Sequence, residues 1–358
     1  MKVLFIVQGE GRGHMTQSIA MQNILTKAGH EVCEVLLGKS PQRKVPDFYY
    51  QQIKCQVTLI DSPNFVTDAK MKAIKMIPSV TRNLAKFKLF RASLKVIKST
   101  IQKHQPDLII NFYDPLMGLY YLFNKVNIPM VCIAHQYLFN HKGFKFPAGH
   151  LMDSISLKFY TSLTAVGAHK KLALSFYPFQ DEPTSKTYIV PPLLREAVFQ
   201  KESTNGDFIL AYLVNAGYME EIIDWHNNNP ETIIHCFMDK ALQQGAPVKP
   251  NLYFHAINDQ LFLEKMSQAK GLITTAGFES VCEAMYLKKP VFMVPVEGHF
   301  EQFCNSRDAF KAGAGIYGNK FELTKFLEYL QHSETPAFNF QDWVRQSETK
   351  LIQHLTVK

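Results

Sequence analysis

Short apolar runs, each closed by a glycine- or proline-marked turn and followed by a helical stretch, recur along the chain. Lys2–Val7 is the first, and Gly9-Glu10-Gly11-Arg12-Gly13-His14, a helical stretch from Thr16 to Ala28 and Gly29 follow it. Val32–Leu37, Leu108–Phe112 and Met130–Ala134 are likewise continuous rather than alternating, as strands covered on both faces of a parallel sheet are. Thr164–Val166 and Ile189-Val190 predict two further short strands, the second broken by Pro191-Pro192. The series restarts at Phe208–Val214 with a second small-residue turn, Asn215-Ala216-Gly217. The helix Glu220–Asn227, the strands Thr232–Met238 and Asn251–His255 and the helix Asp259–Ala269 come next. Gly271–His299 then reads as a compact βαβ unit: strand Leu272–Thr275, turn Ala276-Gly277, helix Phe278–Leu287, strand Val291–Pro295. Helices over Phe321–Gln331 and Phe340–Leu355 close the chain. Strands alternating with helices predict an α/β fold of two similar domains facing each other across a cleft. The polar stretch Lys201–Gly206 separates residues 1–195 from 206–339, and the helix 340–358 is expected to pack back on the first domain.

Length and charge sharpen this picture. At 358 residues the chain exceeds what one core comfortably fills, so two domains are expected. Six scattered cysteines without a CxxC pair read as reduced thiols of a cytoplasmic protein, not as a disulfide or zinc framework. No apolar run is long enough to span a bilayer. The formal net charge is +8, and its distribution matters more than its size. Between Ala69 and Pro106 stand ten lysines and arginines, Lys70 to Lys103, and no acidic residue. Apolar residues at three- and four-residue spacing interleave with them, so the stretch predicts basic amphipathic helices. Such a face either is solvated or meets an anionic partner, here a membrane surface at the inner face of the cell or an anionic acceptor. Nucleic acid is not expected, because no base-stacking platform accompanies the charge.

The candidate chemistry sits where the strands end. Gly9, Gly11 and Gly13 let the backbone turn and approach a ligand. Their GxGxG spacing matches neither the dinucleotide GxGxxG nor the phosphate-gripping GxxxxGK loop. His14 follows at the mouth of the first helix, and is either a loop histidine or a functional imidazole. Asp114, and the pair His135-Gln136, stand just past strand ends, where they are ordinary turn residues or line an α/β ligand crevice. In the βαβ unit, the turn before Phe278 offers backbone N–H groups and the positive end of a helix to an anion. Glu283 lies further along that helix, within reach of a ribose.

Together these pieces resemble the GT-B glycosyltransferases, the class of the UDP-glycosyltransferases and the peptidoglycan N-acetylglucosaminyltransferase. The pattern T-x-x-G-F-x-S-x-x-E-A, then P-V-x-x-V-P, E-Q-x-x-N-S and A-G-A-G carries the resemblance as a set. It implies two Rossmann-like domains, the first for the acceptor and the second for a nucleotide-sugar donor. It implies that Thr275, Ala276, Gly277, Phe278 and Ser280 receive the diphosphate, and that Glu283 holds the ribose. Glu301 and Gln302 would then contact the donor sugar, and backbone near Ile257 would frame the base. On the acceptor side it implies His14 as general base oriented by Asp114, with Gly11, Gly13, His135 and Gln136 around it. The chain departs from the family at Thr275 and Glu279, where histidine and asparagine are usual, and Glu279 places an anion near the phosphates.

The implied reaction is an inverting, in-line displacement of UDP by an acceptor hydroxyl, with no cofactor besides the donor. The chain contains no DxD carboxylate pair of the kind that metal-dependent transferases use. Three rivals remain: a sugar-nucleotide epimerase or hydrolase on the same fold, an NAD(P)-dependent oxidoreductase, and a nucleotide-binding protein without catalysis. The GxGxG spacing and an early Glu34 speak against the oxidoreductase.

Overall fold

The structure is a computed structural model that describes residues 1–39, 44–63, 66–67, 74–75, 87–213, 218–238, 247–332 and 338–355. The chain begins β1 (Lys2–Val7), α1 (Arg12–Lys27), β2 (Glu31–Lys39), α2 (Asp47–Gln52), β3 (Gln56–Asp61), β4 (Val66–Thr67) and β5 (Ile74–Lys75). There follow α3 (Phe87–His104), β6 (Leu108–Phe112), α4 (Pro115–Phe123), β7 (Met130–Ala134), α5 (Leu151–Thr164), β8 (Lys170–Leu174), β9 (Thr187–Val190) and α6 (Glu196–Phe199). The next stretch holds β10 (Phe208–Leu213), α7 (Met219–Asn227), β11 (Ile233–Met238), β12 (Pro247–Lys249), β13 (Leu252–Ala256), α8 (Asp259–Gln268) and β14 (Gly271–Thr274). The chain ends with α9 (Phe278–Tyr286), β15 (Val291–Met293), α10 (Phe300–Lys311), β16 (Gly315–Tyr317), α11 (Thr324–His332), α12 (Phe340–Val344) and α13 (Ser347–Leu355).

These elements form two compact units, one of residues 1–66, 76–195 and 343–358 and one of residues 67–75 and 196–342. Each is a doubly wound α/β unit on a seven-stranded sheet. The first sheet has the order β3-β2-β1-β6-β7-β8-β9 and is parallel throughout. The second has the order β12-β13-β11-β10-β14-β15-β16, parallel except for the β12–β13 edge. The continuous apolar runs are the reason: every residue of β6, β7 and β14 is buried. In each sheet the chain order reverses beside the first strand of the unit, between β1 and β6 and between β10 and β14. Such switch points are where α/β sheets bind ligands.

The tail closes onto the first unit through specific bonds. Trp343 Nε1 donates to the Ser175 carbonyl at 2.9 Å, Ser347 Oγ to the Pro192 carbonyl at 3.1 Å and Lys170 Nζ to the His354 carbonyl at 2.9 Å.

Four local expectations change. No strand spans Thr164–Val166: Thr164 ends α5, its carbonyl is taken by Asn111 Nδ2 at 2.8 Å, and the strand is β8. The tail is two short helices, not one. The helix expected from Phe321 starts at Thr324, after Glu322 accepts the Thr324 N–H at 3.1 Å. The first helix starts at Arg12, so Gly13 and His14 belong to its first turn. Lys70, Lys72, Arg82 and Lys86 of the basic stretch, and the turn 215–217, lie outside the described residues. The remainder of the basic stretch is mostly α3, which buries Phe90 and Ile97 and turns Lys88, Arg91, Lys95 and Lys98 outward. Its end is tied down, since Lys103 and His104 both reach the buried Glu34, at 3.4 and 2.7 Å.

Candidate functional site

In the first unit the candidate residues gather at the β1–β6 switch point. Gly9 is demanded by the fold, because a Cβ there would lie 1.7 Å from the Gly38 carbonyl oxygen. Gly11 is different. It caps α1 with extended backbone, supplies no side-chain cap, and a Cβ on it would meet nothing within 4 Å. Gly11 thus leaves the start of α1 without a side-chain cap of its own, and helix starts are where anions or polar ligands are received.

His14 is buried in the first turn of α1. Its Nδ1 pairs with Gln17 Oε1 at 3.3 Å, one turn along the same helix face. An amide oxygen only accepts, so Nδ1 carries the proton and Nε2 is left as the basic nitrogen. Burial pushes the imidazole down to about 4, partly opposed by the Gln17 hydrogen bond. The ring stacks on Tyr113, with centroids 5.6 Å apart. Tyr113 itself has φ 64°, a left-handed backbone unusual for an aromatic residue, and its hydroxyl is pinned to Thr161 Oγ1 at 2.7 Å.

Asp114 is buried at the end of β6 and caps the next helix with one carboxylate oxygen. Its Oδ1 accepts the Leu116 N–H at 2.9 Å and caps α4, while Asn111 braces its backbone on both sides. Burial pushes its carboxyl up to about 6, tempered by the nearby Ser62 hydroxyl and the Leu116 N–H. The side chain bonded to His14 is Gln17, which sequence reasoning passed over, while Asp114 Oδ2 is buried with no partner among the described residues. The signal for it was its i+3 spacing from His14 on one helix. His135, past β7, gives Nδ1–H to the Leu174 carbonyl at 2.7 Å and lies edge-on to Phe139 and Phe176. Gln136 is buried beside it. Gly13, inside α1, is spaced by the helix and not by the loop.

In the second unit the candidate residues gather at the end of β14. Ala276 has φ 61°, left-handed for a non-glycine residue, and Asn305 of α10 holds its carbonyl through Nδ2 at 3.3 Å. Thr275 is fully buried, and its hydroxyl has no partner among the described residues; neither has Asn305 Oδ1. A buried polar atom left in this state costs about 1–3 kcal/mol. Gly277 then caps α9 without a side-chain bond, at an ordinary φ of −67°. A Cβ there would meet only Ser280 Oγ, at 3.8 Å. Neither backbone strain nor protein packing requires glycine at that place. Ser280 turns its hydroxyl to Thr274 Oγ1 and the Gly277 carbonyl, both at 3.3 Å. Phe278 and Glu283 are buried on α9, and Glu279 sits half-buried in its first turn.

The neighbouring helix is tied to the same edge. Gln302 Oε1 accepts the Val296 N–H at 2.9 Å, so this side chain stitches α10 to the loop after β15. His299 caps α10, its Nδ1 accepting the Gln302 N–H at 3.5 Å, and burial holds the ring down at about 4. Glu301 stands beside Gln302 in the first turn, and Ile257 directly precedes Asn258, whose Oδ1 caps α8 by accepting the Leu261 N–H at 2.9 Å.

A profile of glycosyl transferase family 1 matches residues 1–332. The chain belongs to this family. Two uncharacterized glycosyltransferases are similar in sequence. The one from Methanosarcina acetivorans is 23% identical over 341 residues, covering 88% of this chain and 83% of its own. The one from Methanosarcina mazei is 22% identical over 344 residues, covering 88% and 85%. Among solved structures, the calicheamicin glycosyltransferase CalG4 has a TM-score of 0.62 at 16% identity, covering 99% of this chain and 97% of its own. The spinosyn rhamnosyltransferase SpnG complexed with thymidine diphosphate has a TM-score of 0.60 at 15% identity, covering 99% and 100%. Acinetobacter baumannii MurG has a TM-score of 0.58 at 14% identity, covering 99% and 98%. The chain is a glycosyltransferase of the GT-B fold, with two Rossmann-like domains.

Proposed function

We propose that this glycosyltransferase takes a sugar from a nucleoside-diphosphate sugar, UDP-linked in the first instance, and passes it with inversion to an acceptor hydroxyl. The observation that carries the reading is the loop Thr275–Gly277, where a buried, unpartnered hydroxyl lies beside an uncapped helix end and a glycine that the fold does not need. A diphosphate answers all three: it accepts from the hydroxyl, takes the first N–H groups of α9 and occupies the space a side chain would fill. The thymidine diphosphate in the SpnG structure is the same chemical class. In this reading residues 206–339 hold the donor, and residues 1–195 with the tail 340–358 take the acceptor.

His14 Nε2 accepts the proton of the acceptor hydroxyl. The acceptor oxygen bonds to the anomeric carbon from the face opposite the diphosphate, and the bond from that carbon to the β-phosphate oxygen breaks with its electron pair on the leaving group. The growing charge on the diphosphate is met by backbone N–H groups at the start of α9. The scheme calls for no cofactor beyond the donor. Glu283 holds the ribose hydroxyls, and Glu301 and Gln302 contact the sugar.

Glu283→Ala is expected to weaken UDP binding by about tenfold, roughly the loss of a charge-assisted hydrogen-bond pair. Unaltered affinity by calorimetry would remove Glu283 from the site. Glu279→Gln is expected to tighten UDP severalfold, because an anion in the first turn of α9 repels the diphosphate. The experiment that tests the function is incubation with a panel of UDP- and TDP-sugars, with and without acceptor alcohols. Transfer only in the presence of acceptor supports the reading. Epimer or free sugar from the donor alone would identify an epimerase or hydrolase instead.

A further inference from the structure

The helix α5 of the first unit carries its large apolar side chains mostly outward. Its fully buried positions are Ser154, Thr161 and Thr164, with the half-buried Leu157 among them and Thr164 Oγ1 satisfied by the Thr161 carbonyl at 2.8 Å. Its outward positions are Leu151, Met152, Ile155 and Phe159, which are 72, 73, 52 and 71% exposed. On a 3.6-residue period these four lie within one stripe about 100° wide. A water-soluble surface helix has the opposite pattern, as α3 does with Phe90 and Ile97 inward and its cations outward. An apolar stripe turned outward on an ordered helix implies a nonpolar environment on that side.

The charges around the stripe say which one. Lys158 borders the stripe on α5, its ammonium 5.1 Å from the centre of the Phe146 ring, and Lys142 and Lys145 are exposed in the segment that leads into the helix. Of the acids, Asp153 lies 3.2 Å from His150, and Glu182 accepts the Lys142 N–H at 3.0 Å. Apolar side chains rimmed by cations fit the boundary between lipid tails and anionic headgroups. No helix among the described residues is long and apolar enough to cross a membrane, so the contact is one of lying on a bilayer. The helix also leads to His14: Tyr160, the residue after Phe159, packs 5.6 Å from Tyr113, on which His14 stacks.

We propose that the outward face of α5 docks on an anionic lipid bilayer, with Leu151, Met152, Ile155 and Phe159 entering the headgroup boundary and Lys142, Lys145 and Lys158 meeting lipid phosphates. The acceptor then presents its hydroxyl at the lipid surface, a corollary that rests on the transfer reading above; the docking does not.

The test is sedimentation of the full chain with vesicles of phosphatidylcholine alone or with phosphatidylglycerol added. The wild-type protein is expected to bind the anionic vesicles, and high salt to weaken the binding without abolishing it, since salt screens the lysines and not the apolar stripe. Leu151→Asn with Phe159→Asn is expected to reduce partitioning about tenfold or more while leaving the melting temperature and UDP-induced stabilisation unchanged. A second variant, Phe159→Trp, is expected to shift its fluorescence to the blue on adding anionic vesicles, against the buried Trp225 and Trp343. No wild-type binding, equal binding by the asparagine variant, or no fluorescence shift would overturn the proposal. So would a dimer in sedimentation velocity that the asparagine variant abolishes, because a second copy would then cover the stripe. Loss of vesicle binding with UDP stabilisation intact counts against docking alone and leaves the donor site standing.

Discussion

His14→Ala is expected to lower kcat about 10²- to 10⁴-fold with nucleotide affinity unchanged, because the loop proposed to hold the donor belongs to the other unit of the chain. The geometry adds a finer expectation. The imidazole is buried, held near 4 and hydrogen-bonded to the Gln17 amide. It is therefore already neutral, with Nε2 ready to accept, well below pH 6. The acid limb of kcat/KM should fall below pH 5 and not near 6.5. Gln17→Glu provides the readout of orientation. A carboxylate against Nδ1 favours the imidazolium, so the acid limb should move up toward the ordinary histidine range. An acid limb at the same pH in wild type and Gln17→Glu would remove Gln17 from the positioning of the base. Near-normal turnover by His14→Ala would remove His14 from catalysis altogether.

The second large effect is on stability. His14, His235 and His299 are each pushed down to about 4 by burial, from an ordinary value of 6.5. Above pH 6.5 folded and unfolded chains bind the same protons at these sites, and the contribution to stability is complete. As pH falls from 6.5 to 4, the unfolded chain takes up protons that the folded chain refuses, so stability is lost across that window. Asp114 acts with the opposite sign. Its carboxyl is raised to about 6, so between pH 6 and 3.8 the folded chain holds a proton that the unfolded chain releases. Three histidines outweigh one aspartate, and each unmatched proton is worth about 1.4 kcal/mol per pH unit. Urea midpoints are expected to drop steadily between pH 6.5 and 4.5. His299→Asn should flatten that slope, since asparagine can cap α10 without taking up a proton. A midpoint independent of pH would contradict the lowered histidines.

The fold was legible because its strands are continuous apolar runs and its turns carry glycine. The βαβ unit is the clearest instance: the predicted edges of β14, α9 and β15 fall within two residues of those found. Legibility failed where one side chain decides the outcome. Thr164–Val166 looks like a strand because threonine and valine favour one, yet Asn111 and the Thr161 carbonyl bind Thr164 as a helix end. Gln17 could not be picked out as the partner of His14 by residue type, because the contact depends on the first turn of α1 bringing the two side chains onto one face. Periodicity was equally silent about α5. It gives a helix an apolar side but not the direction in which that side points, and here the usual assumption of inward is reversed. The glycines divide in the same way: Gly9 is kept for the β1–β2 approach, whereas among the described residues Gly11 has nothing within 4 Å of a Cβ and Gly277 only Ser280 Oγ at 3.8 Å.

That last distinction provides the most direct measurement, the melting temperature of wild type and Gly277→Val with and without UDP-sugar. Gly277 has a φ that any residue adopts, and among the described residues no atom lies nearer than 3.8 Å to a Cβ at that position. Valine is a poorer N-cap than glycine by about 1 kcal/mol, so the variant is expected to melt only a few degrees below wild type without ligand. Wild type should be stabilised by the nucleotide sugar, as binding to the folded state alone requires, and Gly277→Val should not. Equal stabilisation of both proteins, or of neither, would contradict a donor diphosphate held at the start of α9.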